Sequence, residues 1–217
     1  MNFYPCHLCS LILSVGLLGT CDLLAAEQEV GLFEEALTIS KRFEPQLQVD
    51  DCRNAFQKLT AAIQQELKTA SAENGGNKLG PKDIAEVLNK HLFVDRQVTY
   101  LSNVYWRDSI FTSALLQKRG NCMATSLLYY LAACELRLPI RIAFGPEHAF
   151  VRWDDGQTLF NIETTANGKF LDDHILMDHF DITEQDRDEN GFIKTVQGTE
   201  RKDAHCLHPF KNRVKTS

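Results

Sequence analysis

A cysteine at the mouth of an apolar helix, then a histidine and an acid on two alternating strands, constrain this chain more than any other feature in it. They lie in residues 120–163, GNCMATSLLYYLAACELRLPIRIAFGPEHAFVRWDDGQTLFNIE. Gly120 and Asn121 tolerate the positive φ of a tight turn, and Asn is a strong helix N-cap. The spacing predicts a helix over 122–136, with Met123, Leu127, Tyr130, Leu131 and Cys134 recurring every three or four positions as a buried stripe. Cys122 then stands in the first turn, where free N–H groups and the positive end of the helix dipole favour a thiolate. Leu138-Pro139 ends the helix, because the residue before a proline is driven to extended backbone.

The pattern beyond changes to a period of two. Ile140, Ile142 and Phe144 share one face of a strand over 139–144, and Gly145-Pro146 makes a turn. In the strand over 148–153, His148, Phe150 and Arg152 face one way and Ala149, Val151 and Trp153 the other. Asp154-Asp155-Gly156 is a hairpin signal. On the return strand Leu159, Asn161 and Glu163 share a face. A hairpin sets Glu163 near His148, so the acid can hold one imidazole nitrogen and leave the other to take the proton of Cys122. Asn161, one strand step away, is a rival for the orienting role.

These segments resemble the core of the transglutaminase-like superfamily. Its pattern is Gly-x-Cys opening a helix, a Gly/Leu-Pro-hydrophobic-Arg strand, His-Ala/Phe-aromatic, then a strand ending in Asp/Glu-x-Thr with Asp the commoner acid, here LPIR, HAF and LFNIETT. The upstream run LNKHLFVDRQVTYLSNVYWRDSIFTSALLQKRG is similar to the lead-in of the SirB-type bacterial branch, and the likeness covers about residues 84–168. The resemblance implies a papain-like α+β fold with a nucleophile-bearing helix packed on a small antiparallel sheet. It implies a thiol nucleophile at Cys122, a base at His148 and an orienting acid at Glu163, acting on an amide of a protein or peptide by hydrolysis or acyl transfer. Relatives in the SirB-type branch often lack the thiol, so the alternative is a catalytically silent module that binds a protein or peptide. The intact Cys, His and acid favour the enzyme.

The rest of the chain suggests four regions. Residues 1–26 read as a secretory leader, with an apolar stretch over 8–18 too short for a membrane span and Ala25-Ala26 ahead of Glu27 for cleavage. A secreted or periplasmic protein follows, with no membrane span in the mature chain. Leu18-Gly19-Thr20-Cys21 offers the alternative of a lipid anchor at Cys21. Residues 27–80 form a helical region and linker: Leu32, Phe33, Ala36, Leu37 and Ile39 make one amphipathic stretch, and Cys52, Phe56, Leu59, Ile63 and Leu67 a second. Residues 81–170 are the core, opening at Pro81 with a helix face of Ile84, Val87, Leu88 and Leu92. The aromatics Tyr105, Trp106 and Phe111 are expected in the core rather than at a substrate.

Residues 171–217 are an acidic extension. There His174 and His179 stand among Asp172, Asp173 and Asp178, read as a solvated helix face. Asp186, Asp188 and Asn190, followed by Gly191 and Ile193, match the first part of a Ca²⁺-binding EF-hand loop, but Gln197 stands where the bidentate Glu belongs. No cofactor is required by the chemistry, and Ca²⁺ at this run is the one metal the sequence suggests. A formal charge of −6 with no basic stripe argues against nucleic-acid binding. With the leader removed, four cysteines remain: Cys52, Cys122, Cys134 and Cys206. Cys122 and Cys134 would be about 18 Å apart along one helix and cannot bridge. The pairing of Cys52 with Cys206 is left open.

Overall fold

One helix, apolar on every side, sits at the middle of the molecule. A computed structural model describes residues 31–102 and 105–194. The described residues begin with α1 (Leu32–Phe43), α2 (Val49–Glu73) and α3 (Pro81–Asn89), the last running into a π-helical turn at Lys90–Asp95. A short strand β1 (Thr99–Tyr100) pairs in parallel with β2 (Arg119–Gly120), with a 3₁₀ turn and a second π turn between them. The central helix α4 (Cys122–Glu135) follows. Then β3 (Ile140–Gly145), β4 (His148–Asp154), β5 (Leu159–Glu163) and β6 (Lys169–Leu171) form one antiparallel meander in chain order. Two short helices close the described chain, α5 (Asp173–Phe180) and α6 (Glu184–Asn190).

The expected stripe on α4 is instead burial all round: every residue from Ala124 to Cys134 is buried. The reason is in the composition of this segment, which places Ser126, Tyr129 and Ala133 between the stripe positions and no charge before Glu135. Tyr129, wholly buried, donates its hydroxyl to the carbonyl of Ala85, 3.2 Å away. The helix stops before Pro139 is reached. Arg137 takes a left-handed φ of 56°, and Leu138 N–H returns to the carbonyl of Ala133 at 2.9 Å.

A single apolar cluster runs from Phe33 on α1 to Ile162 on β5, so the N-terminal helices and the sheet share one core. Phe33 stacks on Phe56 at 4.1 Å and meets Phe111 edge-on at 5.9 Å. The alternation of the strands decides which side chains join it. Val151, Trp153, Phe160 and Ile162 face α4, while Ala143 and Phe150 face a second cluster built with Leu176, Ile182 and Ile193 of the C-terminal segment. That segment is held to the sheet edge by Ile193 N–H on the carbonyl of Phe144, 2.8 Å.

Two expectations change. Tyr105 and Trp106 are exposed, at 74% and 46%, although Phe111 is buried at 1%. The segment between β1 and β2 is a 3₁₀ turn followed by a π turn, and only the second packs apolar side chains inward; Arg107 covers the Trp106 ring instead, 5.2 Å from its centroid. The EF-hand-like run is helix α6 rather than a loop. Thr183 caps it, with its amide donating to Asp186 Oδ2 at 3.0 Å, and Lys194 pairs with Asp188 at 2.9 Å. A helix turns about 200° between residues two apart, so Asp186 and Asp188 point away from each other. No group of three or more His, Cys, Asp or Glu side chains able to hold a metal occurs among the described residues.

Residues 1–26, Cys21, Gln197 and Cys206 lie outside the described residues. No helix among the described residues is long and apolar enough to cross a membrane.

Candidate functional site

Asn121 sets the position of Cys122. It adopts extended backbone with φ −82°, and its Oδ1 accepts from the amides of Met123 at 3.0 Å and Ala124 at 3.1 Å, a regular N-cap. Its Nδ2 is tied to Ser109 Oγ at 2.7 Å, which fixes the cap from outside. Cys122 is therefore the first residue of α4, partly exposed, with its own amide left outside the cap. Asn121→Ala should cost about 1 kcal/mol of stability, the usual value of an N-cap, read as a lowered melting midpoint in denaturant.

Gly120 serves another purpose than a positive φ. It does not lie in the left-handed region, but a Cβ there would sit 2.6 Å from Ala124 Cβ and 3.2 Å from the Asp108 carbonyl oxygen. The helix start and the preceding turn approach too closely for any side chain.

His148 opens β4 and Glu163 closes β5. In the register Arg152 lies opposite Asn161 and Val151 opposite Ile162, which places Glu163 on the diagonal from His148 on the same face. His148 Nε2 is 2.7 Å from Glu163 Oε2. A carboxylate only accepts, so Nε2 carries the proton and Nδ1 is left for Cys122. Glu163 is steadied in turn by Thr165, whose amide and hydroxyl both donate to Oε1, at 2.9 and 2.6 Å. Asn161 does not take part: its Nδ2 donates to the Leu171 carbonyl at 3.1 Å and to Asp173 Oδ1 at 2.8 Å.

The electrostatics follow from burial set against pairing. Burial pushes the Cys122 thiol up, but the hydrogen bond to His148, the amide of Ala149, the imidazole charge and the amide of Met123 outweigh it, and the thiol titrates below its ordinary value. Burial alone would lower His148; its hydrogen bonds to Cys122 and Glu163, with their negative charges, raise it to about 9. Glu163 is pushed up by burial, yet His148 and Thr165 hold it below the usual carboxylate range. Cys52 shows the contrast. There burial and the charges of Asp51 and Glu44 outweigh the neighbouring Arg53, and with no hydrogen-bonded imidazole the thiol is pushed up to about 11. Cys52, Cys122 and Cys134 are all thiols, and of the first two only Cys122 has the surroundings of a reactive one.

A model of the transglutaminase-like superfamily matches residues 50–197, well over half of the chain. The chain belongs to the transglutaminase-like superfamily. Neither the curated proteins nor the solved structures gave a match. The matched span starts within α2 and ends past α6, so this family's domain here includes the long second helix and the C-terminal helices as well as the residues around the thiol.

The sequence reading missed three supports of this transglutaminase-like site. Thr165 was legible as the Thr of the Asp/Glu-x-Thr ending, but nothing in the spacing said that it holds the acid. The second is a set of buried hydroxyls between helix and sheet. Thr164 Oγ1 lies 3.0 Å from Thr125 Oγ1 and 2.8 Å from Ser126 Oγ, and Ser126 also donates to the Ala149 carbonyl at 3.1 Å. These hydroxyls tie the first turn of α4 to the neighbours of both Glu163 and His148. The third is Phe180, whose ring stacks on His148 with centroids 4.7 Å apart.

Proposed function

We propose that this protein is a thiol enzyme acting on amide bonds of proteins or peptides, with Cys122 as nucleophile, His148 as proton carrier and Glu163 as the residue that positions it. The observation that supports this most directly is the two-sided grip on His148. Glu163 holds Nε2 at 2.7 Å, and the other side of the ring hydrogen-bonds a thiol whose pKa is lowered.

In this reading Cys122 Sγ attacks the amide carbonyl carbon. A C–S bond forms and the carbonyl electron pair moves to oxygen. The Cys122 amide, outside the Asn121 cap, is the helix-start donor for that oxyanion. His148 then gives its Nδ1 proton to the leaving nitrogen, the C–N bond breaks, and a thioester remains. Water or an amine attacks the thioester, His148 takes the incoming proton, and the C–S bond breaks to restore the thiolate and imidazolium. Water yields an acid; an amine yields a new amide.

The thiolate–imidazolium form exists between the lowered thiol pKa and the raised histidine pKa. Reactivity should therefore rise as pH climbs through a value below the ordinary cysteine range, hold near neutrality, and change again near 9 as His148 loses its proton. Iodoacetamide labelling of the native protein, resolved by peptide mapping, measures this. At pH 6.5 Cys122 should label about ten-fold or more faster than a small model thiol, as helix-start and His-paired cysteines do, while Cys52 stays unlabelled. Labelling at the model-thiol rate would sink the enzyme reading and leave a protein- or peptide-binding module.

A further inference from the structure

The geometry points to Phe180 as a positioning residue of this site: the C-terminal segment, through Phe180 and the helix that carries it, holds the His148 imidazole in the plane that serves both Glu163 and Cys122. The inference rests on the proposed thiol chemistry and adds to it a part of the chain that the Cys-His-acid pattern does not contain.

Glu163 reaches His148 along one edge of the ring. A hydrogen bond at a ring edge restrains direction but leaves the imidazole free to swing about χ2, a soft torsion. The faces need a separate restraint. The Phe180 ring supplies one, with centroids 4.7 Å apart and planes inclined by 27°. Phe150, next but one on the same strand face, adds only a more distant contact at 6.2 Å. The groups that titrate against His148 are Cys122 from α4 and Glu163 from β5. His179 lies edge-on to Phe180 at 4.7 Å and 82°.

Phe180 can act in this way only if its helix is fixed, and both ends of α5 are. At the N-terminal end Asp173 receives two hydrogen bonds from Arg152 Nη2, 2.9 and 2.8 Å, and one from Asn161. Arg152 is 4% exposed and Asn161 0%, so the two donors are buried on the same sheet face as His148 and Glu163, while Asp173 itself is half-buried at its edge. At the other end Asp181 takes a left-handed φ of 52°, and Ile182 packs in the second core cluster. Phe180 and Ile182 both lie 3.7 Å from where a Cβ on Gly145 would be, against the start of the β3–β4 turn that delivers His148. The role that Asn161 was expected to play on the imidazole is thus indirect: it helps to hold the helix that carries Phe180.

The test compares Phe180→Ala, Phe180→Leu and Phe180→Tyr in the full chain, with two readouts. One is the iodoacetamide labelling rate of Cys122. The other is the proton NMR signal of the His148 Nε2–H held by Glu163, which needs no enzymatic activity. Leucine refills the apolar space without a planar ring, and tyrosine keeps the ring. Phe180→Ala and Phe180→Leu should both slow labelling by roughly ten-fold, within the range that slight misplacement of a reacting group costs, and both should hasten exchange of the Nε2 proton. Phe180→Tyr should restore labelling to within about two-fold of the parent rate.

Thermal melts separate this from a packing defect, because Phe180→Leu should recover stability without recovering either readout. Parent-like labelling and exchange in Phe180→Leu would overturn the inference. If Cys122 is sluggish in the parent protein while the Nε2 proton still depends on the ring at 180, the positioning role stands and the enzyme reading falls.

Discussion

Cys122→Ser should abolish amide turnover, by at least about a thousand-fold, in a protein that melts within a few degrees of the parent. A serine hydroxyl ionises so far above a thiol that His148 cannot hold it as an alkoxide, so the pair loses its charge-separated form. The fold does not depend on the sulfur, because Asn121 caps α4 and the hydroxyls of Thr125, Ser126 and Thr164 tie it to the sheet. Glu163→Gln should be milder, about a hundred-fold. The amide oxygen can still accept from Nε2, but it cannot support the imidazolium and it disturbs the two bonds from Thr165. The measurement is mass-spectrometric: hydrolysis or amine exchange in a peptide mixture bearing backbone and side-chain amides, with a primary amine present. Retained turnover in Cys122→Ala would end the thiol mechanism.

The second large effect is expected two residues earlier. Gly120→Ala places a methyl 2.6 Å from Ala124 Cβ and 3.2 Å from the Asp108 carbonyl oxygen, both attached to packed backbone. Neither neighbour is the free end of a flexible side chain. The cost should be that of overpacking a core, about 1–3 kcal/mol, or a fall of several degrees in melting temperature for a domain of this size. Relief comes most directly by sliding the first turn of α4, so Cys122 labelling should slow as well. A stable Gly120→Ala protein with a fully reactive Cys122 would show that the helix start is not held as tightly as its contacts imply.

How far these residues could be read beforehand depended on the range of the interaction. The alternation in residues 148–163 was enough to put His148 with Arg152 on one face of their strand and Asn161 with Glu163 on one face of the next, because in a strand the face is a local property. It could not separate Asn161 from Glu163, which share that face two residues apart. Only the pairing of Asn161 with Arg152 puts Glu163 on the diagonal from His148, and register is a fact about two strands. Strand β6 was missed because three residues carry too little pattern, and the parallel β1–β2 pair because each strand is two residues long. The run over 186–190 was misread for another reason. Carboxylates at alternate positions suit a cation-binding loop, but the same run follows Thr183, which with Asp186 makes a capping box. Phe180 left no trace in the pattern, since nothing local relates α5 to a histidine thirty-two positions earlier.

The hairpin that unites His148 and Glu163 has a use beyond the site. His148 stands at the first position of β4 and Glu163 at the last of β5, so the turn joining the strands lies at the opposite end of the sheet, about 20 Å away at the rise of a strand. Asp154 and Asp155 organise that turn, Asp154 Oδ1 accepting from the amide of Gly156 and Asp155 Oδ1 from those of Gln157 and Thr158, and Asp155, Gly156 and Gln157 are exposed. The turn is thus the place where the molecule can be extended, labelled with a reporter or immobilised on a surface while its chemical end stays untouched.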